Sequence, residues 1–531
     1  MIRRGIGFFK NNWQILVLIA IAAIFRFVFL GLRPFDGDEG VVIKMAQAAN
    51  LHQLFANVAN DVHPPLFHLL EFISLKVFSV NGFTARLLSA IAGILAIWPI
   101  YKVFEKLENY SNVLNLPAGK AGNLRIDTRA NYAKIVAGAV AVLSVFSAVL
   151  SYHAAEVRPY ALLTLIFFAQ FYFFLRILEK RSLLLTCNFI LSTFLLILTQ
   201  YIGLIILAGE ILYIILLRRK ALTWQNVTAG ILSVVLFAFL WGRAFLHQLA
   251  GRRVEQDQLI SFKANIVGVF NAIYRFGAGR LFLDLDLSIS KNLDFAKSSP
   301  LLFIIFVLSV IVPLVLLILG MRAVYLKNHQ TFWLIIIVLL PLILAALVSS
   351  EIGPRAPRYF SFLAPFYLYF IVSGVLAINK KFRKYTLAGI FVAIFLAAFV
   401  NGIYFERKRP GVNKIAEYLI QDAKPNDALV IMGGYGGGES WVANYYLGPK
   451  AQELRIVDLY GDYKVGNLRE IKSRDPIVQI EGAGAPGKTV WFYDLTYSVD
   501  QSRLAALNPE KINLGKDKEN KELVLYKVGK E

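Results

Sequence analysis

The sequence predicts a mainly α-helical protein that crosses a membrane many times and ends in a small α/β domain. Two observations carry this. Hydrophobic residues fill 57% of the 531 positions and charged residues only 17%, where a soluble domain carries about 25% charged residues. Apolar runs of about 20 residues, enough to cross a hydrocarbon core, recur over the first three-quarters of the chain. We count eleven: 13–32, 83–104, 133–150, 160–178, 183–200, 202–217, 228–247, 301–320, 332–348, 360–378 and 385–404. The first is long and lacks a small-residue cleavage site, so it reads as an anchor and not a cleaved signal.

Lys and Arg positions set the expected orientation, because short cytoplasmic loops collect them. Arg3, Arg4 and Lys10 put the N-terminus inside. The alternate loops then hold Lys106, Lys120, Arg125 and Arg129; Lys180 and Arg181; Arg218, Arg219 and Lys220; Arg322 and Lys327; and Lys380, Lys381, Arg383 and Lys384. Residues 33–82, 151–159, 248–300, 349–359 and everything after 405 are expected outside. The scheme requires that 66–80 not cross: it is short, contains His68, Glu71 and Lys76, and suits a helix lying along the interface. The net charge of +21 is largely this anchoring charge facing anionic lipid, so it does not indicate nucleic acid. With Cys187 the single cysteine, no intrachain disulfide can form.

The expected organisation is a helical membrane body (1–404, with a first outer loop at 33–82) and a soluble extracytoplasmic α/β domain (405–531). In the latter, short β-rich runs at 428–432, 489–493 and 523–528 alternate with a helical stretch at 412–423. The loop 109–131, rich in Asn, Gly and Ala, reads as a connector.

Residues that could carry chemistry gather at loop edges. After the first run the chain reads Arg33-Pro34-Phe35-Asp36-Gly37-Asp38-Glu39. Three carboxylates within four residues need solvent, a metal or a reacting partner; the plain alternative is a solvated loop with Asp38 as a helix N-cap. His63-Pro64-Pro65-Leu66 follows, with the prolines opening a helix and His63 a surface or capping residue on the plain reading. The second outer loop holds Glu156 and Arg158 before Pro159 and Tyr160. Arg holds phosphate by paired hydrogen bonds, or it simply snorkels and pairs with Glu156. Glu210 lies inside an apolar run and is either functional or a link between helices. The Gly433–438 run lacks the dinucleotide fingerprint and reads as a loop. Trp441, Tyr445 and Tyr446 suit either a sugar platform or a helix core face, their spacing favouring the latter.

Taken in order, the Asp38-Glu39 pair, His63-Pro64-Pro65-Leu66, Arg86-Leu87-Leu88-Ser89 and Arg158-Pro159-Tyr160 resemble the polytopic glycosyltransferases of the GT-C class, in the branch of protein mannosyltransferases and aminoarabinose transferases. The motifs cover roughly residues 10–220; beyond that the likeness is one of layout. The resemblance implies a GT-C-type bundle with juxtamembrane helices in the first outer loop. It also implies an inverting transferase, a hexosyl- or pentosyltransferase, that takes a sugar from a polyprenyl-phosphate carrier to a protein, lipid or glycan acceptor at the outer face of the cell membrane. Asp38 then matches the catalytic acid, with Glu39 its companion and Asp36 an additional acid. Glu156 is the nearest match to the second-loop acid, although its spacing from Arg158 departs from the family pattern. His63, Arg158 and Tyr160, with Arg355, Arg358 and Tyr359 of a late outer loop, fall at donor- or phosphate-binding positions. A carrier phosphate is already a good leaving group, so the chemistry needs a base for the acceptor hydroxyl and cations for the phosphate. No cofactor is required; a divalent metal is compatible with the acids, but their spacing does not call for one. The rival readings are a transporter or flippase of lipid-linked glycan, an oligosaccharide ligase, and a scaffold that displays the C-terminal domain.

Overall fold

The computed structural model describes residues 2–109, 126–221, 223–251, 262–281, 298–349, 356–405, 411–432, 438–458, 488–494, 507–516 and 522–529. The chain forms two compact units: Met1–Val28, Phe55–Leu70 and Arg86–Ile403 in one; Phe29–Leu54, Glu71–Ala85 and Tyr404–Glu531 in the other.

Among the described residues, six helices are long and apolar enough to cross a membrane: Thr84–Asn109, Tyr160–Ile177, Trp224–Ala250, Pro300–Lys327, His329–Val348 and Lys381–Ile403. Five shorter apolar helices are Trp13–Val28, Asn131–Val145, Leu183–Thr199, Ile202–Leu217 and Ser361–Ala377. Together they match the eleven apolar runs one for one. Two runs are less regular than their composition suggests. The second is divided into Leu87–Leu95 and Ile97–Asn109, because the ring of Pro99 clashes with the carbonyl of Leu95, four residues back. The third stops at Val145 and restarts as Ala148–His153, where Ser147 in extended conformation caps the new turn by accepting from Leu150 N. That restart directs residues 148–160 inward. A further helix, Phe262–Ala278, stands in the stretch read as outer loop.

The helical unit closes where small residues let backbones meet. A Cβ on Gly320 would stand 1.7 Å from Phe370 O, and one on Gly374 would stand 2.1 Å from Leu316 O. Helices Pro300–Lys327 and Ala364–Ala377 therefore touch backbone to backbone. An aromatic core fills the centre, with Phe104 stacked on Tyr369 at 5.1 Å and Phe168 on Phe366 at 5.5 Å. On the face of these helices that ends in basic residues, Glu108 binds Lys327 and accepts from Tyr369 Oη, while Lys106 pairs with Glu179.

In the second unit five strands form one sheet: β1 Ala428–Met432, β2 Arg455–Asp458, β3 Thr489–Asp494, β4 Glu510–Lys516 and β5 Glu522–Gly529. Their order is β2-β1-β3-β5-β4. β1 pairs in parallel with β2 and β3, and β5 runs antiparallel to both β3 and β4. Ala428, Val430, Val490, Phe492 and Val528 make its core. Asp427 is buried, but it is satisfied by Lys424 N, Thr489 N and Trp491 Nε1, as a buried charge must be.

Candidate active site

The three acids of the first outer loop take three different environments. Helix Gly37–Ala46 starts immediately after Asp36, not after Asp38, so the capping role falls to Asp36. Asp36 Oδ1 accepts from Glu39 N at 2.9 Å, and Glu39 Oε2 accepts from Asp36 N at 3.3 Å, a capping box. Glu39 is fully buried, and its other oxygen lies 3.0 Å from Arg33 Nη2. Arg33 is also buried and lies 3.7 Å from Asp36. Asp38 occupies the first helical turn, half-buried, where the helix dipole favours negative charge. Asp36 and Glu39 are thus committed to shaping the turn that presents Asp38.

The same unit holds this turn against its C-terminal segment. Phe35 N donates to Tyr446 Oη at 2.8 Å, and the Phe35 ring lies 5.3 Å from Tyr445 and 5.7 Å from Trp441. Trp441 Nε1 donates to Gln47 Oε1 at 2.9 Å. These aromatics form a packing face, the plainer of the two readings offered for them. Glu71 belongs to this unit as well. It is fully buried, neither oxygen has a hydrogen-bond partner, and its pKa is pushed up to about 8 by burial and then by the charge of Glu39.

A second polar cluster lies in the helical unit. Residues 151–160 are almost entirely buried; both Glu156 and Arg158 are under 10% exposed. A snorkelling, solvated loop is therefore excluded for this segment. Glu156 Oε2 lies 2.8 Å from His153 Nδ1. The His153 ring meets Tyr160 at 4.8 Å, and Tyr160 meets Tyr359 at 6.3 Å. Ser89 Oγ donates to the Arg158 carbonyl at 3.2 Å, tying the Arg86–Ser89 motif to the Arg158–Tyr160 motif.

His63 is buried, with Nδ1 2.9 Å from Asp61 Oδ2. Burial would raise the Asp61 pKa, but the charge and hydrogen bond of His63, with His68 and Val62 N–H, hold it well below the usual carboxylate range. His68 is fully buried, and its pKa is lowered to about 4, first by burial; the charge of Arg158 contributes in the same direction. The structure therefore brings His63, Glu156, Arg158, Tyr160 and Tyr359 into one helical unit. Arg358 is exposed, and Arg355 lies outside the described residues. Among the described residues, no three His, Cys, Asp or Glu side chains are grouped to hold a metal ion.

No known family profile matches the chain, and no curated protein matches it in sequence. Solved structures do. The chain is similar to ArnT along almost its whole length. ArnT from Cupriavidus metallidurans bound to undecaprenyl phosphate is 14% identical, with a TM-score of 0.45, over 97% of this chain and 98% of that one. ArnT from the same organism in the apo state is 12% identical, with a TM-score of 0.43, over 98% of both chains.

Sequence reasoning missed Asp61, His68, Glu71 and His153 as members of these clusters. A signal existed for two of them: His68 and Glu71 sit three apart on a mostly apolar helix, Leu66–Val77, and so share a face. Glu210 resolves towards its plainer reading. Both of its oxygens accept from Gln170 Nε2, at 2.9 and 3.1 Å, and Gln170 also reaches Thr193. The group links three helices within the membrane body. Gln170→Leu removes that link and is expected to cost about 1 kcal/mol, read as a small drop in melting temperature in detergent.

Proposed function

We propose that this protein is a membrane glycosyltransferase that moves a sugar from a polyprenyl-phosphate carrier to an acceptor hydroxyl at the outer face of the membrane, with inversion. The observation that carries the reading is the acid-bearing turn. A capping box and an Arg33–Glu39 ion pair fix the start of helix Gly37–Ala46, and this holds Asp38 in its first turn. Such a rigid mount is what a positioned base requires.

In this mechanism Asp38 accepts the proton of the acceptor hydroxyl. The oxygen attacks the anomeric carbon from the side opposite the phosphate, the bond from that carbon to the phosphate oxygen breaks, and polyprenyl phosphate leaves with the electron pair. His63, held by Asp61, together with Arg158, Arg355 and Arg358, supplies positive charge for the departing phosphate. Glu156, Tyr160 and Tyr359 line the donor side. The basic clusters between the apolar runs support a cytoplasmic N-terminus, with the acid-bearing turn and C-terminal domain outside.

Sugar transfer from a radiolabelled polyprenyl-phosphate donor, in wild type and Asp38→Asn, tests this. Loss of a general base is expected to reduce turnover about a hundredfold or more, with donor binding retained. Undiminished transfer by Asp38→Asn would remove Asp38 from the mechanism. Donor translocation across vesicles without any transfer would establish the transporter reading instead.

A further inference from the structure

Arg26 has no role in the reaction just described, yet its setting is unusual for a guanidinium. It lies in the last turn of the helix Ile2–Val28 and is only 2% exposed. Nε and Nη1 are buried without any hydrogen-bond partner. A cation near a helix C-terminus is favoured by the dipole, but that effect works through nearby carbonyls, and Arg26 binds none. A buried charge without a partner is strongly unfavourable.

The guanidinium borders a cavity lined also by His153, Thr164, Gly93, Ala96 and Ala161. The space is made by small residues: a Cβ on Gly93 would stand 3.1 Å from Arg26 Nε and 2.7 Å from Ala154 Cβ. The polar lining is one-sided. His153 has Nδ1 engaged by the Glu156 carboxylate. Thr164 Oγ1 donates to Tyr160 O at 2.9 Å. The cavity therefore offers one full positive charge in an otherwise largely apolar wall.

The space is small, on the scale of about a single water or ion. A water could accept from the guanidinium but would leave its charge uncompensated in a low-dielectric setting. We propose that this cavity is a binding site for a single monatomic anion, of the chloride class, held by the unpartnered donors of Arg26. The anion neutralises Arg26 and braces the first helix against the segment that carries His153 and Glu156.

Melting temperature of the purified protein in detergent, at constant ionic strength, tests the proposal with sodium chloride, bromide, sulfate or gluconate as the only salt. The expected result is a saturable rise of a few degrees with chloride and bromide, absent with sulfate and gluconate, and absent for all salts in Arg26→Met. Equal melting in chloride and gluconate would overturn it, as would an undiminished halide response in Arg26→Met. Should that variant fail to fold, anomalous diffraction from bromide-grown crystals of the wild type decides: a peak beside Arg26 supports the site, and a water there without bromide overturns it.

Discussion

Gly40→Val is expected to abolish the proposed sugar transfer although valine replaces no chemical group. The reason lies in how helix Gly37–Ala46 meets helix Gly438–Leu447. A Cβ on Gly40 would stand 2.3 Å from the carbonyl oxygen of Gly438 and 2.9 Å from Val442 Cγ2. From the other side, a Cβ on Gly438 would stand 1.9 Å from the carbonyl oxygen of Gly37. Both obstacles are backbone, so no side-chain rotation relieves them and the helices must separate. Separation pulls Phe35 from Trp441, Tyr445 and Tyr446 and breaks its hydrogen bond to Tyr446. Asp38 lies three residues from Phe35 and moves with it. A displacement of about 1 Å at a reacting group costs roughly a hundredfold in rate, so transfer by Gly40→Val should fall by at least that factor. Gly389→Ala is the control: its Cβ would meet nothing within 4 Å, and a helical Gly→Ala change there should leave transfer intact. Full activity in Gly40→Val would mean that the C-terminal segment does not position the acids.

Much of the architecture was legible because spanning a membrane is a matter of composition over about 20 residues. Features that depend on one residue were harder to read. Pro99 interrupts a run that is otherwise uniformly apolar, and Ser147 ends another. Helix Phe262–Ala278 escaped notice because Lys263, Asn265, Asn271 and Arg275 break its apolar pattern. Among the strands, β1, β3 and β5 read clearly, while β4 carries Glu510, Lys511 and Lys516, charges suited to a sheet edge but hidden from a search for apolar runs. The candidate site divides in the same way. Motif order singled out Asp38, His63, Glu156 and Arg158 as candidates. The partner set of Asp61, His68 and Glu71 follows from tertiary burial, and a local window reads those residues only as polar interruptions. The cap was placed two residues late because Asp38 also precedes an apolar stretch, and only the backbone shows that Gly37 is already helical.

Glu71 leads to the second large effect, on stability. Its folded pKa of about 8 stands above the ordinary value of 4.5, so the folded protein keeps a proton that the unfolded chain releases. Below about pH 4.5 both states are protonated and the residue carries no penalty. As pH rises from there towards 8 the unfolded state is progressively favoured, and above pH 8 the penalty levels off. Glu71→Gln has no proton to lose. Its melting temperature should exceed that of wild type by roughly 3 °C or more at pH 8, the gap closing towards pH 4.5. A gap that stays constant with pH would show that Glu71 ionises normally in the folded state. The arrangement follows from the neighbouring pair: Arg33 lies 3.0 Å from Glu39, one guanidinium for two buried carboxyl groups. With Glu39 taking the cation, the second carboxyl is accommodated only as the neutral acid. Arg33→Met should therefore be far more damaging than Glu71→Gln, because it strips the counter-charge from Glu39 and leaves a buried carboxylate exposed to its own desolvation cost, about 3–5 kcal/mol.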